Sequence, residues 1–266
     1  MVALGLAALA GAAVVVYSGV YDVAATRQHQ QWVYSLLEVA MHRSVKLRAR
    51  NIEPPPLDDE GRIARGAALF HDKCVQCHGA PGVSQGDIGK SMQPIPGPLV
   101  DAMQHWRPRE VYWITRHGIK MSGMPAWEFR LDDGQLWDIT AFVQRLPLLT
   151  PEAYVALTSA PREVAPAAAV PVMAGNVERG RQALYQHACN ACHVIPGVTG
   201  SDVHVGPPLQ GLSSRQLIAG KLANTPENMA AWLRNPKAFK PLSAMPDLGV
   251  SEGHARDMAA YLATLR

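Results

Sequence analysis

The chain has 266 residues, of which 48% are hydrophobic and 18% charged, with a formal net charge of +3 at pH 7. The hydrophobic content excludes a wholly disordered chain, and a charge this small gives no support to a nucleic-acid-binding protein. The length is typical of one large or two small domains, and four cysteines are too few for a disulfide scaffold.

The first predicted element is a transmembrane anchor over residues 1–21. No side chain in this segment is charged, and most of it is Ala, Val, Leu and Gly. Twenty helical residues span about 30 Å, the thickness of the hydrocarbon core of a bilayer. The alternative is a signal peptide cleaved near residues 23–25, although the segment lacks the positively charged start of such a peptide.

The second predicted element is a basic amphipathic helix over residues 26–51. Its apolar side chains recur at intervals of three and four, as on one face of a helix: Trp32, Val33, Leu36, Leu37, Ala40, Met41 and Val45. Three placements stay open for this helix. It could lie on lipid headgroups, dock onto another subunit or pack on a domain of its own chain.

All four cysteines fall in two copies of one pentapeptide, CVQCH at residues 74–78 and CNACH at residues 189–193. Both copies read C-x-x-C-H, the attachment signature of c-type haem. Two thiols about one helical turn apart can form thioethers with one porphyrin, and the adjoining imidazole then binds the iron. The predicted thioether residues are Cys74, Cys77, Cys189 and Cys192, and the predicted proximal iron ligands are His78 and His193.

A zinc half-site and a redox dithiol are the alternatives for one such motif taken alone. The presence of two copies favours two covalently bound haem c groups as the cofactors. No residue is predicted to be catalytic.

The two motifs belong to an internal repeat. In each copy a Leu-aromatic pair precedes the first cysteine, and a loop rich in Pro and Gly follows the motif. Each copy closes with a predicted amphipathic helix, at residues 133–146 and 251–265. Units of roughly 90 residues are small for a core of their own. A covalently held porphyrin would supply the missing apolar interior.

The domain boundaries follow from this repeat. We predict domains over residues 57–150 and 177–266, joined by a linker rich in Pro and Ala over residues 151–176. No segment alternates convincingly with a period of two, so the predicted fold class is all-α, with the two domains placed after the N-terminal transmembrane helix.

Residues 57–266 resemble the class I cytochromes c. In that family a later Met-Pro pair supplies the distal iron ligand, which implies Met124 in the first domain and Met245 in the second. A thioether ligand raises the haem potential relative to a second histidine. Met121 competes with Met124 but lacks the following proline. A bis-histidine alternative would need one of six histidines that are more typical of surface or supporting positions: His71, His105, His117, His187, His204 and His254.

The resemblance also implies how each domain packs. In the family a glycine and an aromatic residue on the first helix cross the last helix. The corresponding residues are Gly66, Phe70 and Phe142 in the first domain and Gly180, Tyr185 and Tyr261 in the second. A loop proline carbonyl orients the proximal imidazole. This is Pro207 in the second domain, while Pro94, Pro96 and Pro98 stay open in the first.

The second domain is similar, more particularly, to the cytochrome c domain fused to subunit II of haem-copper terminal oxidases. The resemblance rests on GPPL at residues 206–209, NTPEN at residues 224–228 and the Met245-Pro246 pair, among other short matches in the same order. All four cysteines lie in haem motifs, so none remains for the dicopper site of that subunit. The chain is therefore not itself the copper subunit. The first domain resembles the small cytochrome domains of oxidase-associated dihaem subunits.

These resemblances imply a membrane-tethered dihaem cytochrome that carries single electrons to or within a haem-copper terminal oxidase. Basic residues after the anchor would place that side inside the cell. Haem attachment at C-x-x-C-H is an exported process in the family, however, so we expect the bacterial inner membrane with the haem domains facing the periplasm. A soluble cytochrome c or a copper protein is a candidate redox partner.

Three other functions stay open. The chain could be the electron-transfer subunit of a periplasmic dehydrogenase complex, or a haem-bearing sensor or assembly module. It could also be a dihaem cytochrome c peroxidase, an enzyme in which one iron must lose its distal ligand. Two six-coordinate irons favour electron transfer over catalysis.

Overall fold

The computed structural model describes residues 1–159, 174–203 and 205–266, which fall into two compact units divided between residues 163 and 164. In the first unit the α-helices are α1 (Val2–Ser18), α2 (Gln31–Ala49), α3 (Glu60–Lys73), α4 (Val75–His78), α5 (Asp87–Lys90), α6 (Ala102–His105), α7 (Pro108–His117), α8 (Asp133–Arg145) and α9 (Pro151–Thr158). A 3-10 helix, Leu146–Leu148, follows α8. The predicted helical character of the first domain is confirmed.

Helix α1 corrects the prediction of a transmembrane anchor. It has 17 residues and ends at Ser18, because Gly19 adopts a left-handed conformation with a φ of 68°. At 1.5 Å per residue this is about 26 Å, less than the roughly 30 Å of a hydrocarbon core. Across the described parts of the chain, no helix combines the length and the apolar character needed to cross a membrane. The prediction of a transmembrane helix over residues 1–21 is therefore wrong.

Helix α2 packs on its own domain through its C-terminal half. Val45 and Ala49 are buried, and α2 contacts α7. The ring of His42 stacks on Trp106 with 4.2 Å between the centroids. In the N-terminal half, Trp32 keeps 66% of its surface exposed. The predicted amphipathic helix is therefore present. Its C-terminal half packs on a domain of its own chain, which is one of the three placements left open by the sequence.

The core of the first unit lies where α3 crosses α8. A Cβ added to Gly66 would stand 1.9 Å from the carbonyl oxygen of Asp138, so only glycine permits this approach. One turn further along α3, the ring of Phe70 contacts that of Phe142 with 5.1 Å between the centroids. The predicted crossing of the first domain is confirmed.

Helix α9 lies within the segment assigned to the linker. It begins after Thr150, whose hydroxyl accepts a hydrogen bond from the amide of Ala153, and it contacts α3. Tyr154 is 1% exposed, and its hydroxyl lies 2.8 Å from Nδ1 of His71. The packed structure of the first unit therefore extends to Thr158 rather than ending at residue 150. Residues 160–173 of the predicted linker lie outside the described residues.

The second unit contains the α-helices α10 (Val177–Gln186), α11 (Pro226–Arg234), α12 (Pro236–Phe239) and α13 (Glu252–Leu262). It also contains two 3-10 turns, Cys189–Ala191 and Leu212–Ser214. Strands β1 (Leu217–Ile218) and β2 (Leu222–Ala223) pair antiparallel, with Leu217 opposite Ala223. This two-residue hairpin is a small departure from the all-α prediction, since it is too short to show a period of two.

Helices α10 and α13 repeat the crossing of the first unit. A Cβ on Gly180 would stand 1.9 Å from the carbonyl oxygen of Asp257. Leu184 is buried beside this crossing, whereas Tyr185 is 55% exposed. The expectation that Tyr185 is the packed residue of this crossing is therefore wrong, since its neighbour Leu184 is the buried one. Phe70 follows Gly66 by four positions, and residues four apart share a helix face. Leu184 follows Gly180 by four positions and Tyr185 by five, so the residue that matches Phe70 is Leu184.

An arginine–aspartate pair, missed in the sequence, supports each crossing. Nε of Arg65 donates to Asp138 at 2.8 Å, and Nε of Arg179 donates to Asp257 at 2.8 Å. Both aspartates are buried. Each arginine directly precedes the crossing glycine and each aspartate stands four residues before the expected aromatic partner, a repeat signal that was available in the sequence.

Replacement of Asp257 by Asn is expected to destabilise the second unit in a pH-dependent way. Burial alone would raise the pKa of the Asp257 carboxyl, but hydrogen bonds from Arg179 and from the amide of Asn176 lower it overall. A folded-state pKa below the unfolded value of about 3.9 stabilises the fold above that pH, and this contribution disappears as pH falls through the folded value. The expected loss at pH 7 is about 2 kcal/mol.

Denaturant unfolding at pH 7 and at pH 3 tests this expectation, and the difference between variant and parent should shrink at the lower pH. Glu252→Gln on the same helix is the control, because its pair with Arg256 is exposed and should change stability by less than about 1 kcal/mol. Equal losses for Asp257→Asn at both pH values would contradict the electrostatic explanation.

Candidate functional site

The two C-x-x-C-H motifs have the same burial pattern. Cys74 caps α3 and Cys77 lies in α4, while Cys189 begins a 3-10 turn that leads to Cys192. The first cysteine of each pair is buried and the second is half-buried, and none of the four forms a disulfide. Each pair therefore stands about one helical turn apart, as thioether attachment to a single porphyrin requires.

The buried thiols of Cys74 and Cys189 do not suit a reactive redox dithiol. Burial raises the pKa of Cys74 to about 12 and that of Cys189 to about 11, whereas reactive dithiols need a lowered pKa. In the portion of the chain that the structure covers, no three His, Cys, Asp or Glu side chains group closely enough to hold a metal ion. A structural zinc site uses about four such ligands.

The two histidines of the motifs present the nitrogen that iron needs. Nδ1 of His78 lies 2.7 Å from the carbonyl oxygen of Gly97, and Nδ1 of His193 lies 2.7 Å from that of Pro207. Because a carbonyl only accepts, Nδ1 carries a proton in both rings, and in the neutral ring this leaves the lone pair of Nε2 for a metal. Burial lowers the pKa of His78, which keeps this ring neutral and able to bind a metal.

The carbonyl acceptors settle an alternative left open by the sequence. Pro207 is the acceptor in the second domain, as predicted. In the first domain the acceptor is Gly97, and none of Pro94, Pro96 and Pro98 takes this role. In each case the accepting residue directly precedes a Pro-Leu pair, and proline holds the residue before it extended. An alignment of the two Pro-Leu pairs would have identified Gly97.

The surroundings of His78 fit a porphyrin. A cavity of about 570 Å³ adjoins this histidine and is lined mainly by apolar side chains, among them Val83, Ile95, Leu99 and Leu146. This volume lies within the range of about 300–1,000 Å³ that is typical of cofactor sites. The His78 ring beside an apolar cavity, with two thiols one turn apart in the same motif, forms a donor set suited to haem c.

In the second domain, Gly206 lies directly against the proximal imidazole. A Cβ at this position would stand 2.4 Å from Cε1 of His193 and 2.7 Å from its Nδ1. The Gly206→Ala variant is therefore expected to displace the ring and to break its hydrogen bond with Pro207. The second haem should then show a changed visible spectrum and a shifted midpoint potential, whereas Gly253→Ala, with nothing within 4 Å, should leave both unchanged.

Redox titration of the purified dihaem chain measures this effect on each haem. A second haem with the parent spectrum and potential in Gly206→Ala would contradict the close packing. The first haem serves as the internal reference.

The two Met-Pro pairs lie in loops that precede the closing helices α8 and α13. Met124 and Met245 are half-buried. Met121 has a left-handed backbone with a φ of 59°, and its side chain is 98% exposed. The structure therefore turns Met121 toward solvent, and Met124 is the better candidate for the distal ligand.

The histidines of the bis-histidine alternative have other neighbours. His71 lies against Tyr154. His187 and His254 lie 3.1 Å apart, from Nε2 to Nδ1. His105 stands near Asp101, and His117 near Glu128. His204 lies outside the described residues. Each of the five described histidines thus lies against a protein neighbour.

Comparison with known proteins divides the chain in the same way as the repeat does. Residues 61–143 match the family described as "Cytochrome C oxidase, cbb3-type, subunit III", and residues 177–266 match the family "Cytochrome c". The chain is also similar to "Cytochrome c oxidase subunit 2" of Alkalihalophilus pseudofirmus, with 36% identity over 89 residues. A second similar protein, "Cytochrome c oxidase subunit 2" of a Bacillus species, is 30% identical over 77 residues.

These alignments span 33% and 28% of this chain and only 25% and 22% of the two relatives. The chain therefore matches about a quarter of the length of either relative, which is the size of a single domain. With the site geometry, the two family matches lead to one conclusion. The chain contains two tandem cytochrome c domains, each with a covalently bound haem c, and has the electron-transfer function of cytochromes c.

Proposed function

We propose that this chain relays single electrons to or within a respiratory haem-copper oxidase. The observation that supports the proposal is that one matched family and both similar proteins are named as subunits of oxidases. The first domain matches a family described as an oxidase subunit, and the chain is similar to subunit 2 of two cytochrome c oxidases. All four cysteines stand in haem motifs, so the chain would act beside the copper subunit and not replace it.

The proposed roles of the site residues combine the geometry of the two haem motifs with the resemblance to class I cytochromes c. Cys74, Cys77, Cys189 and Cys192 would hold the two haems through thioethers, His78 and His193 would supply the proximal Nε2, and Met124 and Met245 the distal thioether. When bound, haem c accepts and releases one electron at its iron. The carbonyls of Gly97 and Pro207 orient the imidazoles, and the apolar lining of the cavity beside His78 would lie against the first porphyrin.

For location we propose the periplasmic side of the bacterial inner membrane, since haem attachment at C-x-x-C-H in this family takes place after export. Cell fractionation followed by haem staining of the separated proteins tests this location. Haem-stained chain in the periplasmic or membrane fraction supports the proposal. Haem-stained chain confined to the cytoplasmic fraction would overturn it.

The partner is tested by purifying the tagged chain from detergent-solubilised membranes. The proposal expects haem-copper subunits to copurify in stoichiometric amounts, and the prereduced haems of the chain to be reoxidised by oxygen in a cyanide-sensitive reaction. A double variant, Cys74→Ala with Cys189→Ala, should abolish the reoxidation signal. Copurification with a dehydrogenase whose substrate reduces the haems would overturn the oxidase assignment. A high-spin haem that turns over peroxide would support a peroxidase instead.

A further inference from the structure

The two distal methionines stand at the end of the same local structure. The sequences IKMSGMP at residues 119–125 and KPLSAMP at residues 240–246 share only Ser-x-Met-Pro at matching positions. We call these segments the ligand turns. In the first, the amide of Ser122 donates to the carbonyl of Ile119 at 3.4 Å, and in the second the amide of Ser243 donates to that of Lys240 at 2.9 Å. Both segments therefore make the same four-residue turn before the methionine.

In both ligand turns a serine hydroxyl binds the main chain of the methionine. The amide of Met124 donates to Oγ of Ser122 at 3.2 Å, and the amide of Met245 donates to Oγ of Ser243 at 3.2 Å. Ser122 Oγ also donates to the carbonyl of Ile119 at 2.8 Å. The same contact thus recurs in two turns whose other side chains differ.

The first ligand turn is closed by a further main-chain bond. The amide of Ile119 donates to the carbonyl of Met124 at 3.1 Å. A Cβ on Gly118 would stand 2.5 Å from that same carbonyl oxygen, so the chain on both sides of the turn lies in close contact. The main chain of Met124 is therefore held at its amide by Ser122 and at its carbonyl by Ile119.

We propose that Ser122 and Ser243 are positioning residues for the distal thioethers, an inference that rests on the proposed role of Met124 and Met245. Methionine has a flexible side chain with three rotatable bonds, so its sulfur stays in place only if its main chain is fixed. The proline after each methionine restricts that main chain on its C-terminal side. The serine hydroxyl fixes it on the N-terminal side by binding the amide.

Displacement of the thioether from the ferric haems by imidazole tests the inference. In a stopped-flow experiment on the full dihaem chain, we expect one kinetic phase for each haem. Loss of one hydrogen bond to the methionine amide should speed displacement by between about two- and tenfold. Ser122→Ala should accelerate only the first-domain phase and Ser243→Ala only the second. Ser122→Thr and Ser243→Thr keep the hydroxyl and should restore the parent rates.

One control variant and two contrary outcomes separate positioning from other effects. Ser213→Ala removes a hydroxyl that binds the carbonyl of Leu265, away from the ligand turns, and should leave both phases unchanged. Unchanged displacement rates in both Ser→Ala variants would overturn the inference. The inference would also be overturned if the Ser→Ala variants unfolded at a lower midpoint in proportion to their faster displacement and the Thr variants did not restore that midpoint. The hydroxyls would then contribute to domain stability.

The methionine assignment is checked separately. If Met124→His and Met245→His leave the haem spectra unchanged, the proposed ligands themselves are wrong. If they change the spectra while the Ser→Ala variants leave the displacement rates unchanged, only the positioning role fails.

Discussion

The Gly180→Ala variant is expected to lose the folded second domain. The added Cβ would stand 1.9 Å from the carbonyl oxygen of Asp257 and 2.5 Å from its carbonyl carbon. Both are main-chain atoms of α13, so no side chain can rotate away, and α10 and α13 must separate. Separation would also strain the Arg179–Asp257 pair and uncover Leu184 and Met258. We expect a loss of about 3 kcal/mol or more, a large part of the stability of a small domain.

Gly253→Ala is the matched control for this prediction. Gly253 lies in the same closing helix, and a Cβ there meets nothing within 4 Å. Alanine should therefore be neutral or stabilise the domain by up to about 1 kcal/mol, because it favours helix more than glycine does. Thermal unfolding followed by circular dichroism and by haem absorbance measures both variants. Equal unfolding midpoints for Gly180→Ala and the parent would contradict the close crossing.

Gly66→Ala should have the same effect on the first domain, where the Cβ would stand 1.9 Å from the carbonyl oxygen of Asp138. Because the repeat places the two glycines in equivalent crossings, each variant should disturb the haem of its own domain. If either Gly66→Ala or Gly180→Ala disturbed the haems of both domains, this expectation would be contradicted.

The second large effect is expected on the haem potentials. Met124→His should lower the midpoint potential of the first haem, and Met245→His that of the second, each by on the order of 0.1 V or more. The physical reason is that a thioether favours ferrous iron, whereas an imidazole donates more strongly and favours the ferric state. Spectroelectrochemical titration of the dihaem chain resolves the two waves.

Met121→Leu is the control in the first domain. Met121 is 98% exposed. If Met124 is the ligand, the Met121→Leu variant should leave the midpoint potentials of both haems unchanged. A shift in Met121→Leu together with none in Met124→His would transfer the ligand role to Met121. Unchanged potentials in both His variants would reject the methionine ligands in both domains.

Much of the fold could be predicted from the sequence because the relevant patterns are short. The apolar stripes of the closing helices recur every three or four residues and appear as the buried faces of α8 and α13. The resemblance to class I cytochromes c implied Gly66 and Gly180 at the helix crossings, and the structure has both glycines there. The same resemblance implied Pro207 as the acceptor for His193, and the structure confirms it.

Two predictions failed where the local pattern gave too little information. The apolar composition of residues 1–21 suggested an anchor, but the left-handed Gly19 ends the helix after 17 residues. Tyr185 was chosen for its aromatic ring, while the helical period makes its neighbour Leu184 the buried residue. Composition describes a segment as a whole, whereas a single main-chain angle or one step around a helix decides its end and its face.

Sequence alone determined the number of haem motifs, the order of the domains and the covalent chemistry, because attachment needs residues only one helical turn apart. Tertiary structure decided that α9 joins the first unit, that Tyr154 lies against His71 and that buried aspartates pair with arginines at both crossings. Arg65 and Asp138 are 73 positions apart, and Arg179 and Asp257 are 78 apart. Contacts over such separations depend on how helices pack against one another, and no local periodicity records them.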